Sequence, residues 1–263
     1  MKSLHFDYYM ELEYSQPVRK CHFTIKCIPR DTCRQKIERI SVDVIPHSSM
    51  AEGCDSFGNK QLFGCVEEEH QRFLYHIKGV VRTGLADCEP VENGNILGIY
   101  RYPHGLTVPG EGLKEYLEKL KVENGLSDYE KGVFLMHSLY RDFSYEKNVT
   151  GVTTTAEQAW QLGRGVCQDY AHILVTLCRM EGIPARYVTG MLIAEGYSHA
   201  WVEIMCDHKW YGLDPTNDLI VDDAHIRIGV GRDAADCLIN RGIMMGGGKQ
   251  TQRIRVIVEE KYD

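Results

Sequence analysis

The stretch Gly163-Arg164-Gly165-Val166-Cys167-Gln168-Asp169-Tyr170-Ala171-His172 organises the interpretation of the whole chain. Its two glycines permit a sharp turn, and residues 166–180 have the pattern of a helix. Cys167 then lies in the first helical turn, where backbone N–H groups have no intrahelical partner and the positive end of the helix dipole favours a thiolate. The same helical face carries Ala171, Leu174 and Cys178. The sequence therefore predicts that Cys167 faces the element on which its helix packs.

Length, composition and charge are those of an ordinary globular protein. The 263 residues are 43% hydrophobic and 25% charged, enough to bury a core and unlike a disordered chain. A formal net charge of −7 at pH 7, with no basic stripe, argues against nucleic-acid binding. Residues 1–7 lack the apolar run of a signal peptide, and no segment approaches the ~18 apolar residues of a membrane span. We therefore expect a cytoplasmic protein without a membrane partner.

The ten cysteines form no Cys-x-x-Cys pair. Their scattered spacing, together with the missing export signal, favours free thiols that act as small buried hydrophobes over a disulfide framework or a zinc site. No Asp-x-Asp-x-Asp loop indicates calcium either. We expect no metal and no cofactor.

Residues 1–105 are predicted to form an antiparallel, β-sandwich-like domain. Apolar residues alternate at period two in residues 6–14, 21–27, 40–44 and 73–77. Turn-rich connectors separate these runs, among them Ser15-Gln16-Pro17, Pro46-His47-Ser48-Ser49 and Phe57-Gly58-Asn59. No catalytic cluster is visible here, so we expect a structural or docking role.

Residues 106–263 are predicted to form a second domain of class α+β, because helical patterns come first and strand patterns follow. The connector 102–110, with two prolines and two glycines, marks the boundary. Helices are expected over 113–121, from Ser127 with a capping box to Glu130, and from Thr154 with a capping box to Glu157. Strands are expected over 185–193, 197–206, 209–213, 226–230 and 254–258.

A nucleophilic cysteine needs a base and a group that orients the base, and His199 and Asp214 are the best candidates. If a tight turn lies at Asp207-His208, the numbers of facing residues in the hairpin sum to 415, which pairs Trp201 with Asp214. His199 and Asp214 are then diagonal neighbours on one face, about 7 to 8 Å apart by backbone. The carboxylate can reach the imidazole, whereas an odd loop length would place the two on opposite faces.

Three blocks resemble the bacterial transglutaminase-like superfamily: Gly-Val-Cys-Gln-Asp-Tyr-Ala at 165–171, Ser-His-Ala-Trp-Val-Glu at 198–203 and Leu-Asp-Pro-Thr-Asn at 213–217. The likeness continues through residues 226–233, and the β-rich first third resembles the domain that often precedes this core. The resemblance implies a papain-like fold, with helices packed on an antiparallel sheet. It also implies that Cys167 is the nucleophile, His199 the general base and acid, and Asp214 the orienting group.

The implied reaction is acyl transfer at the amide of a peptide or protein substrate through a thioester on Cys167. The backbone N–H of Cys167 could meet the oxyanion, with Gln161 as a candidate second donor and Trp201 as a candidate wall of the substrate site. With water as the acceptor, the reaction is hydrolysis and the protein is a cysteine protease or amidase. This is the preferred interpretation. An amine as acceptor gives a protein-glutamine transglutaminase.

Two readings from other classes compete with this one. A non-catalytic scaffold could use the β domain to bind a partner, but all three triad positions are filled. A zinc site on cysteine and histidine, as in the related deglycosylating branch, lacks that branch's Cys-x-x-Cys pairs.

Overall fold

The computed structural model describes residues 1–91 and 97–261 of the chain. Within them it contains five α-helices, one 3₁₀ turn at Gly105–Thr107 and sixteen strands. The helices are α1 Leu97–Arg101, α2 Glu111–Leu120, α3 Asp128–Asp142, α4 Ala156–Leu162 and α5 Cys167–Met180. The strands are β1 Lys2–Ile25, β2 Gln35–Ile45, β3 Met50–Cys54, β4 Lys60–Val66, β5 His70–Thr83, β6 Glu89–Pro90, β7 Ser144–Tyr145, β8 Arg164–Gly165, β9 Ala185–Leu192, β10 Ala194–Gly196, β11 His199–Cys206, β12 Lys209–Asp214, β13 Leu219–Ile220, β14 His225–Gly231, β15 Asn240–Gly246 and β16 Gln250–Glu260.

The long strand β1 is the spine of the N-terminal sheet. Its first half pairs with β5 on one edge and with β16 on the other, and its second half pairs with β4 and β15. Phe23 from the second half packs on Phe73 of β5, with ring centroids 4.9 Å apart. The two halves of β1 therefore share one core.

The predicted turn at Ser15-Gln16-Pro17 is wrong, because the chain stays in one strand there. The register of β1 shifts between Glu13 and Val18 and again between Arg19 and His22, and Lys20 has a positive φ of 50°. Irregularities of this kind bend a strand without ending it. Proline is tolerated at such a position, since no regular ladder bond is lost.

The second sheet has the strand order β13-β12-β11-β9-β14, with all its main pairs antiparallel. Helix α5 packs on β11 and β9, and its Ala171, Leu174 and Cys178 are fully buried with Val202 and Ile204 of the sheet. The predicted class, a helical layer on an antiparallel sheet preceded by a β region, is confirmed.

The helix starts agree with the sequence at one cap and differ at another. Ser127 caps α3 and forms the predicted box with Glu130. The box predicted for Thr154 and Glu157 is wrong by one residue, since Thr155 caps α4 with Gln158. Glu157 is free to accept backbone N–H bonds from residues 110, 112 and 113 at the start of α2, at 2.9 to 3.1 Å. A carboxylate at this position also complements the dipole of α2.

The C-terminal strands return to the first sheet. The run 254–258 was expected among the strands of the second domain, but β16 pairs with β1 from Leu4 to Tyr14, and β15 pairs with β1 beyond it. Strand partners far apart in sequence cannot be read from a local pattern. The division into domains 1–105 and 106–263 remains a prediction.

Side-chain amides join the two sheets at β14. The amide of Gln35 donates to the Arg227 carbonyl and accepts from the Arg227 N–H, each at 2.8 Å, and Asn59 does the same at Val230, also at 2.8 Å. These contacts satisfy backbone groups that an edge strand would otherwise leave open. Among residues 1–91 and 97–261, no helix combines the length and apolarity needed to cross a membrane.

Candidate active site

The backbone around Cys167 is shaped by its two glycines. Gly163 ends α4 in the left-handed region, with φ 68°, and its N–H donates to carbonyls in the last turn. A Cβ at Gly165 would collide with the Asp169 carboxylate. That carboxylate accepts the Val166 N–H at 2.7 Å and the Thr150 hydroxyl at 2.6 Å. Cys167 is thereby held as the first residue of α5, in the first helical turn as predicted, and its side chain is half-buried.

The β11–β12 hairpin brings His199 and Asp214 together. Asp207 and His208 form the two-residue turn with φ values of 48° and 58°, so Cys206 faces Lys209 and the facing numbers sum to 415. His199 Nε2 and Asp214 Oδ2 are 2.7 Å apart. The diagonal placement expected from the register is the one observed.

His199 lies between a carboxylate and a thiol. Burial lowers the pKa of His199, but hydrogen bonds to Asp214 and Cys167 outweigh burial and raise this pKa to about 10. Because Nε2 is engaged by Asp214, Nδ1 is the ring nitrogen left for the thiol. The arrangement can hold a proton on the imidazole beside the sulfur and deliver that proton to a leaving group.

Several hydrogen-bond donors besides His199 hold the Asp214 carboxylate in place. The carboxylate is fully buried and accepts the Thr216 N–H at 3.0 Å and the Asn217 side-chain amide at 2.8 Å. His225, also buried, approaches it at 3.3 Å through Nε2. Burial would raise the pKa of Asp214, but the bonds from His199, His225 and Asn217 lower it below its ordinary value. The carboxylate therefore stays charged.

Sequence reasoning missed His225. Its Nδ1 lies 3.0 Å from Asp222 Oδ1, so the ring bridges two carboxylates. The only local signal is a histidine directly before the strand pattern of residues 226–230. Strand β14 is not adjacent to β12 in the sheet, so spacing alone could not connect His225 with Asp214.

The candidates Gln161 and Trp201 occupy other positions than the sequence suggested. Gln161 is exposed on α4, and its amide donates to Glu157 Oε1 at 3.0 Å. Trp201 is near His199, with ring centroids 6.2 Å apart, but only 1% of it is exposed. Arg34 and Gln35 line the same small cavity as Trp201 and cover that face of the sheet. Trp201 thus has almost no surface to offer a substrate.

Tyr145 is a second residue that the sequence did not single out. It pairs with Gly165 in the short parallel pair β7–β8, and Gly165 is two residues before Cys167. The Tyr145 side chain is half-exposed. Burial and the neighbouring Cys167 raise the pKa of Tyr145. The Tyr145 side chain is therefore a partly exposed neighbour of the candidate nucleophile.

Three side chains of the site are of the types that can bind a metal ion. The donor atoms of His199, Asp214 and His225 are within 4.8 Å of one another. The Asp214 carboxylate is within hydrogen-bond distance of both histidine rings.

The His199 ring is expected to titrate near pH 10. Folding raises this pKa above the ordinary value of about 6.5. The contacts of the protonated His199 ring therefore stabilise the fold fully below about pH 6.5, and this stabilisation is lost as the pH rises through about 10. The measurement is an NMR titration of the imidazole C–H signals, with His199→Gln used to assign the resonance. A midpoint near 6.5 would contradict the described contacts.

Comparison with known proteins identifies the family. Residues 116–215 match the transglutaminase-like superfamily, and residues 4–82 match the bacterial transglutaminase-like N-terminal region. The chain therefore belongs to the transglutaminase-like superfamily, which confirms the resemblance found in the sequence.

Relatives cover both regions of the chain. An uncharacterized protein of Mycobacterium bovis is 26% identical over 267 residues, which is 89% of this chain and 85% of that protein. An uncharacterized protein of Mycobacterium leprae is 40% identical over 114 residues, 40% of each chain. The crystal structure of a "putative cysteine protease" from Cytophaga hutchinsonii has a TM-score of 0.79, covering 100% of this chain and 92% of that chain at 22% identity. This likeness shows a shared fold.

Proposed function

We propose that the chain is a cysteine-dependent acyl transferase that acts on amide bonds, with hydrolysis of peptide or isopeptide amides as its reaction. The observation that carries the proposal is the 2.7 Å contact between His199 and Asp214 beside a cysteine at the start of a helix. These are the parts of a nucleophile, a base and an orienting group.

The chemistry follows from the positions of these groups. The Cys167 thiolate attacks the carbonyl carbon, and the oxyanion accepts the Cys167 backbone N–H, which has no intrahelical acceptor. His199 gives its proton to the departing amine, leaving a thioester on Cys167. His199 then takes a proton from water, and the resulting hydroxide attacks the thioester carbonyl. The C–S bond breaks and the carboxylic acid leaves, which restores the Cys167 thiolate beside the protonated His199. Asp214 keeps the ring oriented and stabilises its positive charge.

The substrate is inferred to be a peptide or protein. Cys167 is half-buried at the surface end of α5. Tyr145, a neighbour of Cys167, is 50% exposed, and Tyr197, two residues before His199, is 67% exposed. Lys147 lies over the Tyr197 ring, with its ammonium 5.8 Å from the centroid. Exposed aromatic rings at an open site suit an extended polymeric substrate better than a small enclosed one.

The acyl acceptor is tested with a glutamine-containing peptide, incubated with and without a primary amine and analysed by mass spectrometry. Hydrolysis predicts deamidated or cleaved peptide in both reactions. An amine-modified peptide as the main product would instead assign transglutamination. The Cys167→Ala variant is the control, and unchanged peptide with the wild type across a varied peptide library would contradict the proposal.

We further infer a reducing, cytoplasmic location. All ten cysteines are free, and four of them have partly or fully exposed side chains outside the site: Cys33, Cys54, Cys65 and Cys88. Free thiols at the surface are typical of a reducing compartment. Fractionation of the producing cell tests this inference, and recovery outside the cytoplasm would contradict it.

A further inference from the structure

We propose that His22, Cys65 and Glu67 form a zinc site on the N-terminal sheet, remote in sequence from the residues of the candidate active site. His22 lies in β1 directly opposite Cys65 of β4, and Glu67 follows the end of β4. The donor atoms of the three side chains lie within 4.8 Å of one another.

The strand geometry makes the three side chains converge. Cross-strand partners point to the same face of a sheet, and residues two apart on a strand do the same. The adjacent Cys21, Phe23 and Val66 point to the opposite face and are buried, whereas His22 and Glu67 are exposed and Cys65 is half-buried. The three donors therefore sit on the solvent side of β1 and β4.

Two of the donor distances are close to those between ligands of one zinc ion. With Zn–S of about 2.3 Å, Zn–N of about 2.05 Å and tetrahedral angles, the sulfur and the nitrogen should be about 3.6 Å apart. Cys65 Sγ lies 3.7 Å from His22 Nε2 and 3.2 Å from Glu67 Oε1. All three donor atoms already lie within 4.8 Å of one another, so zinc binding needs the adjustment of side chains that are exposed or half-buried.

The donor set favours a borderline-soft ion such as zinc over the hard divalent ions. A thiolate excludes calcium and magnesium, while the mixture of sulfur, nitrogen and oxygen suits a borderline-soft ion. On binding, the Cys65 thiol gives its proton to water and the sulfur bonds to the metal. Three protein ligands leave a fourth position that faces solvent and takes water or an outside donor.

Zinc at this site would tie β1 to the end of β4. Strand β4 pairs with β3, the edge strand on that side of the sheet. The ion would therefore cross-link this edge of the sheet to β1. Spacing along the chain does not indicate the site, because residues 22 and 65 become neighbours only through strand pairing.

The test is a titration of the intact chain with zinc by calorimetry and with cobalt by absorption spectroscopy. We expect one zinc at this site and a thiolate-to-cobalt charge-transfer band that persists in Cys167→Ala and disappears in Cys65→Ser. His22→Gln and Glu67→Gln should weaken zinc binding by about tenfold or more. The matched control is Cys54→Ser, an exposed thiol of the neighbouring β3, which should bind as the wild type does.

Three outcomes would overturn the proposal. The band could vanish in Cys167→Ala and persist in Cys65→Ser, which would assign the metal to the candidate active site. The zinc affinity could be the same in His22→Gln as in the wild type. The wild type could also fail to bind zinc at micromolar concentrations.

Discussion

Replacement of Cys167 by alanine is expected to lower kcat on an amide substrate by about 10⁴-fold or more, because no other group can form the thioester. The fold should persist, since Cys167 is only half-buried at the edge of the core and alanine removes a single sulfur atom there. The measurement is the turnover of the peptide identified in the glutamine-peptide assay, with circular dichroism as the check on folding.

The matched control for Cys167→Ala is Cys178→Ala. Cys178 lies on the same face of α5 but is fully buried, far along the helix from its N-terminus. Its loss should reduce stability and leave turnover of the folded protein close to wild type. Wild-type turnover in Cys167→Ala would refute the nucleophile assignment.

Replacement of Asp214 by asparagine is expected to lower kcat by about 10³- to 10⁴-fold, with a smaller effect on KM. An asparagine carries no charge to stabilise the imidazolium. In addition, its NH₂ group cannot accept the hydrogen bonds that the wild-type carboxylate accepts. Those donors come from His199, His225, Thr216 and Asn217. The pKa of His199 should fall from about 10 toward its ordinary value in this variant.

Asp218→Asn is the control for Asp214→Asn. Asp218 is four residues away, contacts His137 at 2.5 Å and has no hydrogen bond to His199 or His225 among the described residues. The same chemical change there should leave kcat near the wild-type value. Equal losses in the two variants, or no loss in Asp214→Asn, would contradict the role of Asp214.

The place of His199 and Asp214 could be predicted because a hairpin has few degrees of freedom. A two-residue turn fixes the register, and the register fixes which residues share a face. Asp207 and His208 take that turn with positive φ values, so the diagonal pair followed from counting. The helix start at Cys167 was equally local, because glycines and apolar spacing define it.

The features that the sequence did not reveal depend on contacts between distant segments. His225 reaches Asp214 from a strand that is not its neighbour, and β16 joins β1 more than two hundred residues earlier in the chain. Trp201 was placed on the correct face, but Arg34 and Gln35 cover that face from the N-terminal region. Alternating apolar and polar residues predict a strand and its two faces. Which strand pairs with it, and which segments pack on each face, depend on the packing of the whole chain.

The central claim, that Cys167 is an activated nucleophile, is tested most directly by labelling with iodoacetamide. Limiting reagent is added to the native protein, and peptide mapping gives the rate at each of the ten cysteines. Exposure alone would make Cys33 and Cys54 the fastest, because both are exposed and Cys167 is only half-buried. We predict that Cys167 is labelled first and loses this advantage in His199→Ala, because reactivity follows the thiolate. Labelling that follows exposure, with Cys167 no faster than Cys54, would contradict the claim.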